Sequence, residues 1–220
     1  MPDDPDPAAP LHRTQDPAPG ARKARTLVVL GIDGAGKTTA ALALVAAERM
    51  AGRPAVLVRN PAGRRWLTRV ADRLGVAVPA LLADRFETVV RSVNVLVAHL
   101  RGALFGRKTR AGGKPGGLVV MDRHLACQLA LREVRGLPQG WSLAWLEGLL
   151  PAPDDVVLLD VPAEEAYARI HARGEDHESL AYLRAARTAY LKLAAAEGWH
   201  VVDGSGTPEQ VVQGLRAILR

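Results

Sequence analysis

Cysteine is nearly absent. Cys127 is the only one in 220 residues, so no disulfide forms within the chain, and a reducing cytoplasm is the expected setting. Aromatic residues make up 4% of the sequence, which is poor material for the stacking platforms that hold single-stranded nucleic acid. No run of about 18 apolar residues occurs, so no membrane span is expected. The six histidines follow no metal-ligand spacing. The Asn-Lys-x-Asp motif that reads guanine is missing. Residues 1–25 are rich in Pro, Asp, Ala and Arg without apolar periodicity, and are expected to form a disordered leader. They also lack the cationic start and apolar core of a signal peptide.

What the sequence does have is a large apolar fraction, 48%, and a net charge of +6. The first suits one α/β domain with a substantial core. The second comes from scattered, mostly arginine side chains, which favours small polyanions such as nucleotides over nucleic acid.

Short apolar runs alternate with helical segments after Thr26, the pattern of a parallel sheet covered by helices on both faces. Strands are expected at 26–30, 55–59, 118–121, 155–160 and 200–202. Helices are expected at about 37–50, 64–74, 79–103, 125–135, 141–149, 163–173, 180–197 and 208–219. The long third helix has an apolar face including Leu82, Val89, Val93 and Leu96. Residues 106–117, with Arg107, Lys108, Arg110 and Lys114, read as a flexible basic loop. The expected architecture is a three-layer α/β domain at 26–220 with a five-stranded parallel sheet and a small lid around 170–180.

The strongest motif is Gly31-Ile32-Asp33-Gly34-Ala35-Gly36-Lys37-Thr38, followed by Thr39. It fits Gly, four residues, Gly-Lys-Ser/Thr, and it stands between an apolar strand and an Ala/Leu-rich helix. That context brings backbone N–H groups to the start of a helix, where they hold an anionic phosphate. Lys37 then reaches the β- and γ-phosphates and the Thr38 hydroxyl ligates Mg²⁺. Asp33, a carboxylate inside an anion-binding loop, reads as a ligand of Mg²⁺-bound water or a substrate-orienting group.

Asp122-Arg123 ends the third strand, on the sheet edge where ligands of doubly wound folds bind. Asp122 is expected to hold Mg²⁺ or its waters, and Arg123 a second anionic group. Asp84-Arg85 lies in an apolar helix, where the arginine can line a pocket. Arg169 and Arg173, four apart, precede a polar stretch at 174–178. Arginines on such a cover can close over a transferring phosphoryl group.

Taken in order, these blocks resemble the thymidylate kinase family from about Thr26 onward. The phosphate loop, Leu82-Ala83-Asp84-Arg85, Val119-Val120-Met121-Asp122-Arg123-His124, Leu159-Asp160-Val161-Pro162 with Arg169 and Arg173, and Asp203-Gly204 each resemble a family block. The resemblance implies transfer of the ATP γ-phosphoryl group to a nucleoside monophosphate, most readily dTMP, with Mg²⁺. It implies acceptor contacts from Arg59, Arg85, Arg123 and Gln128, and a homodimer, to which the apolar long helix can supply the interface. It departs at Asn60, where the family often has a carboxylate, at Leu81, where an aromatic stacker is common, and at His124 and Leu131, where it has tyrosines. The phosphate-handling residues are kept and the nucleoside pocket is altered. Two other readings stand beside this one: a related kinase with a different nucleotide acceptor, and a P-loop NTP-binding regulator. An ATPase dependent on nucleic acid is favoured by charge alone.

Overall fold

Leu27, Val28, Val29 and Leu30 are all fully buried. An unbroken apolar run has no solvated face, and that is the signature of a central parallel strand. The computed structural model places it there. It describes residues 23–59, 80–113, 116–122, 124–137, 145, 148–174 and 178–220. The leader through residue 22, the helix expected at 64–74 and most of that at 141–149 lie outside the described residues.

The strands are β1 (Arg25–Leu30), β2 (Ala55–Arg59), β3 (Leu118–Asp122), β4 (Asp155–Asp160) and β5 (His200–Asp203). They form one five-stranded sheet in the order β2-β3-β1-β4-β5, parallel at every pairing. The helices are α1 (Lys37–Met50), α2 (Ala80–Ala111), α3 (Ala126–Val134), α4 (Ala163–Ala172), α5 (Leu180–Glu197) and α6 (Pro208–Ile218). The expected α/β class and strand count hold.

Two expectations need correction. Arg25 belongs to β1, not to the leader. Its guanidinium reaches both carboxylate oxygens of Asp155 at 2.7 and 3.0 Å and the carbonyls of Ile218 and Leu219, so the first strand is tied to β4 and the end of α6. Second, the basic loop expected from residue 106 is helical as far as Ala111. Arginine and lysine are good helix formers. Gly102 and Gly106 also let α2 lie close to its neighbours: an added Cβ would meet Val119 at 3.1 Å and Ala24 at 2.8 Å. Helix α2 turns the apolar face noted in the sequence outward. Val89, Val93 and Leu96 of its apolar face are 56%, 54% and 43% exposed. The inner face carries Thr88, Arg91, Ser92, Val95, Ala98 and Gly102.

On the other side of the sheet, α1 is pinned to α6 through Glu48, a carboxylate only 6% exposed. It accepts hydrogen bonds from Arg53, at Nε and Nη2, and from Arg216 Nε at 2.8 Å. Arg216 also donates to the Ala47 carbonyl at 2.8 Å. The Arg53 hydrogen bond, against burial, which pushes the other way, and with help from Arg216, holds the Glu48 carboxyl below its ordinary value of 4.5. A depressed carboxyl contributes stability above its unfolded-state pKa and loses it as pH falls through the folded one. Glu48→Gln is therefore expected to lower unfolding free energy at pH 7 by about 2 kcal/mol, and the gap between variant and wild type should narrow below about pH 4. Urea unfolding at both pH values checks this; a gap that is the same at both contradicts it.

Candidate active site

The loop from Gly31 to Gly36 leaves the carboxyl end of β1 and runs directly into α1, whose first turn carries Lys37, Thr38 and Thr39 and no acidic residue. The unpaired N–H groups of that turn are therefore available to an anion. Gly34 has φ +85°, and a Cβ there would press on the carbonyl of Ala166 in α4. Only glycine lets the loop take this path beneath α4. Ala35 is buried beneath the loop, and the Thr39 side chain is exposed.

Lys37 is 8% exposed. Its Nζ donates to the Ile32 carbonyl at 2.7 Å and lies 3.6 Å from the Asp33 carboxylate. The ammonium is thus held curled over the loop, next to a carboxylate that is half-exposed at its rim. Thr38 Oγ1 donates to Asp122 Oδ2 at 2.6 Å. The second oxygen of Asp122, Oδ1, is buried without a hydrogen-bond partner among the described residues.

The parallel register brings these groups together. Val29 of β1 pairs with Asp122 of β3, and Asp122 pairs with Arg59 of β2. The carboxylate therefore stands one strand away from the loop, with Arg59 exposed beyond it. A buried carboxylate oxygen lacking a donor, beside a threonine hydroxyl, suits a hard cation. Mg²⁺ takes oxygen ligands and keeps several waters and phosphate oxygens. The described residues hold no cluster of three or more His, Cys, Asp or Glu ligands, and such a Mg²⁺ needs none. The residues present fit the ion.

Beside the loop a narrow cleft opens between α2, α3 and α5. Gly31, Ile32, Asp33 and Lys37 form its floor. Its walls are Arg91 from α2, Cys127 and Leu131 from α3, and Tyr182, Ala186 and Tyr190 from α5. Helix α5 is held against the sheet by Arg187, which makes a two-pronged contact with Asp160 at 2.7 and 2.8 Å. Gln128 is wholly buried in α3. His124 is buried as well, and burial first, with His99 nearby second, pushes its imidazole down to about 4. It is neutral at pH 7.

The two lid arginines differ. Arg169 sits at the loop: its guanidinium donates to the Gly204 carbonyl at 3.2 Å and to Glu165 at 2.5 Å. One of its nitrogens is 3.8 Å from the position a Cβ on Gly36 would occupy. Arg173 is exposed, and its Nε donates back to the Arg169 carbonyl at 3.2 Å. Arg85 lies in the first turns of α2, and Arg123 lies outside the described residues.

Arg91 and the two tyrosines of α5 were not among the expected site residues. The signal for Arg91 was an arginine three residues from Thr88 and four from Val95, on the face opposite the apolar stripe.

A phosphate loop at the carboxyl end of a central strand, an acid at the end of the adjacent strand and a second cleft beside the loop define a P-loop nucleotide-binding phosphotransferase architecture. Sequence comparison sharpens this. The thymidylate kinase family model matches residues 29–215. The chain is 34% identical over 197 residues to the thymidylate kinase of Xanthomonas oryzae pv. oryzae (strain PXO99A), covering 88% of this chain and 82% of that one. It is 33% identical over 204 residues to a probable thymidylate kinase of Pyrobaculum calidifontis, covering 88% and 94%. The chain belongs to the thymidylate kinase family.

Gly34→Ala tests the loop's conformation. The positive φ and the contact with α4 are expected to cost about 2 kcal/mol and to weaken ATP binding at the same time. Urea unfolding and a fluorescent-nucleotide titration read the two effects; unchanged values in both would mean that the loop does not need this backbone path.

Proposed function

We propose that the protein transfers the γ-phosphoryl group of ATP to dTMP, giving dTDP and ADP. The observation that carries this reading is the Thr38–Asp122 pair at the mouth of the phosphate loop, with a separate cleft opening onto Lys37 and Asp33. On this reading one nucleotide lies on the loop and the phosphate of a second reaches Lys37 through the narrow cleft.

The acceptor phosphate already carries a nucleophilic oxygen at pH 7, so no strong general base is required. The chain's contribution is positioning and charge neutralisation. The amides of residues 31–39 hold the donor phosphates, and Lys37 swings from Ile32 and Asp33 to the β- and γ-oxygens. Asp33 orients the attacking phosphate from the loop's rim. Arg59, Arg85, Arg123 and Gln128 hold the acceptor. Arg169 steadies the donor between the loop and Gly204, and Arg173 leaves its helix to neutralise the transferring group when the cover closes. Thr38 and Asp122 would hold Mg²⁺, which would supply neutralisation of the charge developing on the phosphates.

The assembly we propose is a homodimer. Phe86, Val89, Val93, Leu96 and Leu100 are exposed along α2 at alternating spacings of three and four, the seam by which helices pair. No helix among the described residues is long and apolar enough to cross a membrane, and the proposed setting is the cytoplasm.

Two experiments test these readings. ATP consumption measured separately with dTMP, other nucleoside monophosphates and DNA should show turnover with dTMP, and Lys37→Ala should abolish it while leaving the circular-dichroism spectrum intact. Near-normal turnover in that variant, or stimulation by DNA alone, overturns the assignment. In sedimentation velocity the wild type should be a dimer and Val93→Glu a folded monomer; a monomeric wild type at tens of micromolar, a concentration typical of such experiments, refutes the seam.

A further inference from the structure

The inner face of α2 changes character along its length. Where it crosses the sheet it is small and apolar: Val95, Ala98 and Gly102 are all buried. Where it passes the phosphate loop it turns polar. Thr88, Arg91 and Ser92 are 4%, 4% and 8% exposed. Arg132 of α3, itself 5% exposed, reaches Thr88 Oγ1 with Nη2 at 3.4 Å. Leucine would fill such a helix position without the desolvation cost of a charge. The Arg91 side chain lines the same cleft as Asp33 and Lys37.

A guanidinium offers only donors, in a planar fork that matches phosphate oxygens. The donor's phosphates are served by the loop amides. The acceptor's phosphate must come alongside Lys37 from the cleft, against the charge of the triphosphate. Bringing two such anions together needs fixed cations whose position is set before binding. Arg91, buried on a helix and facing that approach, meets the requirement.

We propose that Arg91 binds the 5′-phosphate of the acceptor nucleotide. This rests on the nucleotide-kinase reading above but not on the base, because every nucleoside monophosphate carries the same group. The test uses the full chain and three variants, Arg91→Ala, Arg91→Lys and Arg91→Gln, with dTMP and thymidine as probes. Arg91→Ala is expected to lower kcat/KM for dTMP roughly 30-fold or more, with Kd for ATP unchanged. Arg91→Lys should recover part of this and Arg91→Gln should not, since only lysine restores the charge. Binding of thymidine, which has no phosphate, should be unaffected in all three.

Equal weakening of thymidine and dTMP would assign Arg91 to the shape of the pocket and overturn the proposal. So would wild-type kinetics in the alanine variant, or a glutamine variant that works as well as lysine. If the alanine variant does not fold, the lysine–glutamine comparison decides alone. Should wild type ignore dTMP and use another nucleoside monophosphate, the dTMP reading falls, and the same series run with that nucleotide and its nucleoside still decides the role of Arg91.

Discussion

The hydrogen bond from Thr38 to Asp122, at 2.6 Å, joins the two pieces of backbone on which the site depends. Thr38 is in the first turn of α1 and Asp122 ends β3, 84 residues later in the chain. They meet because β1 and β3 are parallel neighbours in a register that sets Val29 opposite Asp122. A slip of one residue would turn the Asp122 side chain to the other face of the sheet. The fully buried Leu27–Leu30 run fixes the position of β1, and the loop that follows inherits it. Core packing and the placement of the Asp122 carboxylate beside the loop are thus one constraint.

The arginines divide by what they touch. Arg25, Arg53, Arg187 and Arg216 each pair with a carboxylate and tie one element to another. Arg169 pairs with Glu165 as well, but it sits at the phosphate loop, and Arg91 lines the cleft beside that loop.

Much of this was legible in the sequence, for physical reasons that differ from place to place. β2, β4, α1 and α5 fall on the expected residues because their apolar runs end at strong signals: Gly52 after α1, the Ser179 cap before α5, Gly198 after it. The phosphate loop was readable because its chemistry is backbone chemistry, and glycine spacing encodes that directly. Arg25 was misplaced because an arginine beside a polar leader looks solvated, and only its partner 130 residues away reveals a buried anchor. The end of α2 was missed because Arg107, Lys108 and Arg110 look like a loop when a glycine precedes them, although Gly106 serves close packing. Arg91 was missed because periodicity draws attention to the more apolar face of a helix, and Arg91 lies on the other one.

The two faces of α2 link assembly to chemistry. Among the described side chains of this 32-residue helix, the inner face carries Thr88, Arg91 and Ser92 and then mostly small residues, with Phe105 packed against the core. Small residues bury little area, and at about 25 cal/mol per Å² they add little stability. The larger side chains, Val89, Val93, Leu96, Leu100 and Leu104, all point outward. Left in water they stabilise nothing; covered by a second copy, they would fix the helix from outside and leave its inner face free for polar work. On this view the polarity of Thr88, Arg91 and Ser92 and the apolarity of the outer seam are two halves of one design. If that inner face serves a ligand, the burial this helix needs has to come from elsewhere, and the exposed stripe is the part of it that a second copy would cover.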